Sequence, residues 1–295
     1  MAWVGPWRPQ GHWYRGCLHI HTQASDGVLT PSEVIEKYKR AGYHFVCITD
    51  HDRFTDASGA SGEDFLVLGG IEITCGQNQI GRPYHIVGVG IEGSIRLAQG
   101  MTPQQAINAI RERGGLAFVG HPYWSGHTFE DLIELDGIAG LEVFNGVCEL
   151  LSGKGLSAVQ WDDLLARKKH WLGLAVDDFH WGKARDFEAG WVVVRAPSLD
   201  EKAILGALAH GIFYSSQGPR IINLESHGPA LKVQCSGSRR IDCIVDTDPG
   251  NRLEAPAGKS IFDAEFTLPD GASCARVQCI DAAGLVAWSN PIFLT

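Results

Sequence analysis

A chain of 295 residues with 44% hydrophobic and 20% charged residues can bury a full-sized core, as one large domain or one large plus one small. Its formal charge of −9 argues against non-specific binding to a nucleic-acid backbone, which needs a basic footprint, while still admitting a nucleotide as substrate. No apolar stretch approaches the length of a membrane span, and Met1-Ala-Trp-Val-Gly-Pro-Trp7 lacks a basic n-region, so neither a span nor a signal peptide is expected and a cytoplasmic location is favoured.

From about residue 14 to 195, short apolar runs alternate with amphipathic helical patterns. Strands are expected at Gly16–Ile20, Phe45–Thr49, Phe65–Ile73, His85–Gly90, Leu116–Gly120, Gly140–Phe144 and Leu172–Val176. Thr30-Pro31-Ser32-Glu33 and Thr102-Pro103-Gln104-Gln105 are capping boxes with proline at the first helical position. Ser198-Leu199-Asp200-Glu201 opens a third helix in the same manner. Seven strands interleaved with helices imply an α/β fold built on a parallel sheet, closed as a barrel or left open. Polar residues favour the barrel. His21, Asp50-His51, Glu72, His121, Asn145 and Asp178-Phe179-His180 each follow an apolar run, and a barrel gathers such strand ends at one mouth.

The pattern changes from about residue 221. Leu231–Cys235, Ile241–Asp246, Ser260–Thr267 and Ala275–Asp281 are strand-like, separated by turn sequences and without a helical pattern. The expected division is therefore 1–220, a barrel with an N-terminal lead-in, and 221–295, a small antiparallel β-sandwich with a structural, covering or partner-binding role. The eight cysteines include no C-x-x-C pair. Cys17 and Cys47 read as buried thiols, whereas Cys235, Cys243, Cys274 and Cys279 cluster late enough to form a disulfide in an oxidising compartment.

His19-Ile20-His21 carries the most chemical information. Histidines at i and i+2 of a strand share a face, so both imidazoles can reach one metal ion. Six histidines (His19, His21, His51, His85, His121 and His180) stand at strand ends with Asp26, Glu72 and Asp178. Any of these alone is unremarkable, His121-Pro122 as a loop residue or Glu72 as a buried, hydrogen-bonded acid. Burying all of them unpaired would be costly, which makes a metal centre the economical reading.

The order His-x-His, Ser-Asp-Gly, Thr-Asp-His, Gly-Ile-Glu, His-Ile-Val-Gly, Gly-His-Pro, Asp-x-His, running from about residue 14 to 181, resembles the polymerase-and-histidinol-phosphatase (PHP) superfamily. The resemblance implies a distorted seven-stranded βα barrel holding two or three divalent ions, zinc, manganese or iron. It implies that His19, His21, Glu72 and Asp178 hold a first ion. Glu72 would then bridge to a second ion on His85 and His121, with Asp26, His51 and His180 holding a third. Of the adjacent Asp177 and Asp178 only the latter has the Asp-x-His spacing, which leaves Asp177 behind the ligands. Asp50 and Asp52 are candidates for orienting ligand imidazoles, and His180 for assisting proton transfer.

Ions about 3.5–4 Å apart can share a hydroxide for in-line attack on phosphorus. Arg53, Arg82, Lys183 and Arg185 could bind the phosphate, a solvated surface charge being the plainer reading of each. The segments 204–220 and 287–292 and the Trp13-Tyr14-Arg15-Gly16 lead-in resemble the branch of the superfamily that carries a β-sandwich. Some members of that branch cleave carbamates or other non-phosphate esters. The expected function is hydrolysis of a small phosphate ester; hydrolysis of carbamate or carboxyl esters on the same metals is the alternative, and a degenerate, metal-free scaffold a third. Oligomeric state is not legible.

Overall fold

The computed structural model describes residues 11–180, 186–246 and 249–294. In chain order the elements are β1 (His12–Cys17), α1 (Pro31–Arg40), β2 (Phe45–Ile48), β3 (Leu66–Cys75), β4 (Tyr84–Val89), α2 (Pro103–Glu112), β5 (Leu116–Val119), α3 (Pro122–Ser125), α4 (Phe129–Leu132), β6 (Ile138–Asn145), α5 (Gly146–Ser152), α6 (Ala158–Ala166), β7 (Leu172–Val176), β8 (Trp191–Ala196), α7 (Glu201–Ala209) and β9 (Phe213–Ser216). Eight further strands follow: β10 (Ile221–His227), β11 (Ala230–Ser238), β12 (Arg240–Val245), β13 (Asn251–Glu254), β14 (Ile261–Thr267), β15 (Cys274–Ile280), β16 (Val286–Ser289) and β17 (Ile292–Phe293).

The three expected helix starts are capped. Thr30 Oγ1 accepts from the Glu33 N–H while Glu33 accepts from the Thr30 N–H, and Thr102 and Gln105 repeat the exchange. For α7 the cap is Asp200, whose carboxylate accepts from the Ala203 N–H at 2.9 Å. Each cap contributes about 1 kcal/mol. These helices thereby begin at fixed points and hold the loops before them in place.

The fold is mixed α/β, with one large parallel-rich sheet and a separate antiparallel one. Strands β1 to β7 follow one another in the large sheet in chain order. The two ends of that run meet where Ile20 bridges Phe179 in parallel and the His21 N–H donates to the Phe179 carbonyl at 2.8 Å. The expectation of an all-parallel sheet needs correction at β4, which pairs antiparallel with both β3 and β5. Residues 76–83 join β3 to β4 without a helix. Such a short connection turns the chain back on itself, whereas a parallel pair needs a crossover of a dozen residues or more. Leu18, Phe45, Leu68, Val87, Phe118, Leu174 and Val176 share one core cluster, to which α7 contributes Ile204 and Leu208.

Beyond β7 the large sheet continues. Strand β8 pairs antiparallel with β1, β9 with β8, and β16 with β9, leading on to β15, β12 and β13. The separate sheet β10-β11-β14 shares a core with that extension, with Leu224, Leu231 and Val233 meeting Ile241, Val277 and Cys279. The late strands thus make a sandwich, one layer of which is continuous with the sheet carrying the histidines. Arg276 on β15 is fully buried and donates two 2.7 Å hydrogen bonds to Asp162 on α6. All eight cysteines, including the late four that could pair in an oxidising compartment, are buried free thiols. Among the described residues no helix is long and apolar enough to cross a membrane.

Candidate metal centre

All nine residues expected as ligands converge at one mouth. His19 and His21 follow β1, and both rings are fully buried with their Nε2 atoms 3.0 Å apart. Glu72 projects from β3, and His121 follows β5. His85 stands at the beginning of β4 rather than at its end; because β4 runs against its neighbours, its start lies at the same mouth.

The tightest group involves four atoms. His19 Nε2 lies 3.1 Å from Glu72 Oε2 and 3.3 Å from Asp178 Oδ1. For His21 Nε2 the same two separations are 3.2 and 3.1 Å. Tetrahedral coordination with bonds near 2.05 Å requires ligand atoms about 3.3 Å apart. Five of the six separations among the two nitrogens and two oxygens are thus close to that value. Moreover, Glu72 Oε2 and Asp178 Oδ1 are buried without a hydrogen-bond partner, a costly situation that a cation relieves.

Two further groups adjoin it. Glu72 Oε1 lies 2.7 Å from His85 Nδ1 and 3.3 Å from His121 Nε2, while Glu72 Oε2 is 3.0 Å from His51 Nδ1. The other face of His51 reaches Asp26, with Nε2 3.6 Å from Asp26 Oδ2, and His180 Nε2 lies 3.4 Å from the same oxygen. Glu72 is therefore shared by the first two groups, and His51 lies between the second and third. Every ligand atom is an imidazole nitrogen or a carboxylate oxygen, a set suited to zinc, manganese or iron.

Electrostatics point the same way. Burial works against an imidazolium at His19, yet Asp178, Glu72 and Glu142 outweigh it and hold the group well above the usual imidazole range. His180 is likewise opposed by burial but raised to about 9 by Asp26 and Asp178. Glu72 is held well below the usual carboxylate range despite burial, because His19, His21 and His121 surround it. The hydrogen bond from His180 lowers Asp26 to about 2. Such concentrated negative charge among imidazoles favours bound cations.

Local backbone supports the cluster. Gly27, in Ser25-Asp26-Gly27, has no room for a side chain: a Cβ there would fall 2.5 Å from the His21 carbonyl oxygen. Asp178 and His121 sit at φ of 55° and 27°, values that non-glycine residues reach only at a cost of order 1–3 kcal/mol.

Residues that the motifs did not single out hold the ligands. Glu142, buried in β6, accepts from His19 Nδ1 at 2.5 Å and from the His121 N–H at 2.8 Å. This fixes the His19 ring with Nε2 toward the cluster. Asn145 donates through Nδ2 to both Glu142 and Asp178 while its Oδ1 caps α5 at the Cys148 N–H. Asp186 accepts from the His180 N–H at 2.5 Å. Asn145 had stood out as a polar residue at a strand end, whereas Glu142 and Asp186 are found only through their hydrogen bonds to the candidate ligands, which no local sequence pattern reports.

The remaining sequence candidates stand elsewhere. Asp177 is buried and turned away from the cavity. Its carboxylate accepts from the Tyr38 hydroxyl at 2.7 Å and from the N–H groups of Glu188, Ala189 and Gly190, and burial raises it to about 6. Asp50 accepts from Thr22, Ser25 and Thr55, and approaches His21 only through the Ser25 hydroxyl. Asp52 accepts from the Thr74 N–H. Arg53 and Arg82 are exposed and do not line the cavity; Arg82 donates to the Trp124 carbonyl at 3.0 Å. Lys183 and Arg185 lie outside the described residues.

A family model described as the PHP domain matches residues 18–102, the span that holds His19, His21, Asp26, His51, Glu72 and His85. The uncharacterized protein MJ1587 of Methanocaldococcus jannaschii is 32% identical over 144 residues, covering 43% of this chain and 80% of its own length. The phosphoribosyl 1,2-cyclic phosphate 1,2-diphosphodiesterase of Eggerthella lenta is 35% identical over 79 residues; the match spans 25% of this chain and only 30% of that enzyme. Among solved structures, a two-domain protein containing a predicted PHP-like metal-dependent phosphoesterase from Bacteroides vulgatus aligns with a TM-score of 0.55 at 15% identity, over 96% of this chain and 95% of its own. It shares the fold, including the β-rich C-terminal part. The chain belongs to the PHP family.

Proposed function

We propose that this chain is a metal-dependent phosphoesterase that hydrolyses a small phosphate ester at a centre of two or three divalent ions, zinc or manganese being the favoured identities. The observation that carries this reading is the convergence of His19, His21, Glu72 and Asp178 on one point with separations of 3.0–3.3 Å. Adjoining it are the groups Glu72–His85–His121 and Asp26–His51–His180. Divalent ions bound there would acidify a water to a pKa near ~7 and neutralise charge developing on the phosphate oxygens.

The chain's own residues perform the positioning. Glu72 spans two of the groups, Glu142 fixes the His19 ring, and Asn145 ties Asp178 to α5. His180 has its Nδ1 on the Asp178 carbonyl at 2.7 Å and its Nε2 toward Asp26, which favours its role as a ligand over the proton transfer also considered for it. The seven-strand count of the barrel, the division at residue 220/221 and a reducing, cytoplasmic setting in keeping with eight free thiols belong to the same proposal.

The test is hydrolysis of 4-nitrophenyl phosphate and 4-nitrophenyl acetate by the purified full-length chain, with added Mn²⁺ or Zn²⁺. Metal-dependent turnover of the phosphate is expected. Turnover of the acetate alone would overturn the phosphoesterase reading in favour of a carboxyl-ester hydrolase.

A further inference from the structure

The cavity above the metal-binding residues has a volume of about 580 Å³, far more than a phosphate group fills. What lines the rest of it is informative. Apart from seven of the nine candidate ligands, the described lining side chains are Val28, Trp124, Val147, Cys148, Leu151 and Asp186. Five of the six are apolar or neutral. The sixth, Asp186, is an acid already engaged by the His180 N–H. Among the described lining residues none is Lys or Arg.

These apolar groups come from three separate segments held in fixed positions relative to the cluster. Val147, Cys148 and Leu151 lie on α5, whose N-cap Asn145 also donates to Asp178 and Glu142. Trp124, on α3, sets its indole edge-on to His121 at 5.0 Å and to His85 at 6.3 Å. Its carbonyl is held by Arg82, and the α3 backbone by the Ser157 hydroxyl. Val28 follows the Ser-Asp-Gly turn. Although Leu151, Val28 and Trp124 are 63%, 57% and 39% exposed, they face one opening. Apolar surface of this kind, rimmed by polar groups at a pocket mouth, is the mark of a ligand contact.

An ester bound with its phosphate on the cluster must extend its alcohol portion past this wall. A polyhydroxylated group would lose its hydration there and find few partners, at a cost in affinity. We infer that the preferred substrate is a phosphate ester of an alcohol bearing an apolar, ring-sized group, which packs between Trp124 and the Val147–Leu151 face of α5. This inference rests on the phosphoesterase reading and specifies its substrate class.

The experiment compares kcat/KM for 2-phenylethyl phosphate and 2-hydroxyethyl phosphate. Both release primary alcohols of similar acidity, so the ratio reports the side group and not leaving-group chemistry. Burial of a phenyl ring predicts a preference of roughly 10- to 100-fold for the phenylethyl ester. In Leu151→Ser the preference should fall several-fold. In Leu150→Ser, an exposed neighbour on the same helix that does not line the cavity, it should persist. A ratio near one overturns the inference and leaves the phosphoesterase reading standing. A strong preference indifferent to Leu151→Ser overturns the assignment of the α5 face. Turnover of neither ester while 4-nitrophenyl phosphate is still hydrolysed overturns the inference alone; no turnover of any of the three phosphates overturns both readings.

Discussion

His19 Nδ1 donates to Glu142 Oε1 at 2.5 Å, and both side chains are buried. The contact presents the opposite ring nitrogen to the metal-binding group in the form a metal needs. Glu142→Gln keeps the length of the side chain but removes its charge. It is expected to weaken metal binding by roughly 10- to 100-fold, the usual effect of losing a ligand's hydrogen-bond partner. Competition with a chelator of known affinity measures this, and unchanged affinity would show that Glu142 does not tune His19.

Glu72 and Asp177 are both buried carboxylates, yet they should fail differently. Glu72 touches five imidazoles, so Glu72→Gln should abolish hydrolysis and lower the metal content measured by elemental mass spectrometry. Asp177 binds Tyr38 and the 188–190 backbone instead. Asp177→Asn should cost about 1–3 kcal/mol of stability through mismatched hydrogen bonds while the metal content holds. Equal metal loss in the two variants would contradict the separation of roles.

His127 gives the fold an acid-sensitive point. Burial lowers it from 6.5 to about 4, with Asn78 Nδ2 3.1 Å from its Nδ1 and the Tyr84 ring stacked at 4.3 Å. Because its folded pKa is depressed, the unfolded chain binds the extra proton between pH 6.5 and 4. Stability therefore falls as pH drops through that window, by about 3 kcal/mol from this group. In His127→Gln the difference in unfolding free energy from wild type should shift with pH by that amount; parallel pH profiles would rule the assignment out.

Arg276→Met leaves Asp162 without its bidentate partner. Asp162 is 36% exposed, so the expected loss is about 2 kcal/mol, below the range for a wholly buried pair. Asp162→Leu in the same chain should recover most of it. Urea unfolding of both variants is the measurement, and a double variant no better than the single one would show that packing, rather than the unpaired acid, sets the cost.

The residues that converge at the mouth were legible because each candidate lies in a short motif at an apolar run, as in Thr49-Asp50-His51 or Gly70-Ile71-Glu72. The direction of β4 was less so: a run of apolar residues carries no sign, and only the missing helix between residues 75 and 84 hinted at reversal. Glu142 was hidden because it interrupts the apolar strand Gly140–Asn145 without a motif of its own. Arg82 follows a turn near the mouth, but whether it faces a phosphate or a backbone carbonyl depends on Trp124, 42 positions away. The C-terminal strands announced themselves by alternation and turns. Their registration onto β9 rests on pairings such as Trp288 with Ser215, which no local pattern encodes.

Pairing of β16 with β9 has a consequence for biosynthesis. Asn290 accepts from the Gly173 N–H at the base of β7, and Trp288 stacks on Phe144 beside Asn145. The strands that lead to Asp178 and carry Glu142 therefore gain these neighbours only after β16 has been synthesised, well after the histidines have emerged from the ribosome. Until then β9 presents a bare edge, open to pairing with another nascent chain. Assembly of the candidate metal centre thus waits on the late strands, and a polypeptide cut after residue 220 would keep the candidate ligands but expose an adhesive border.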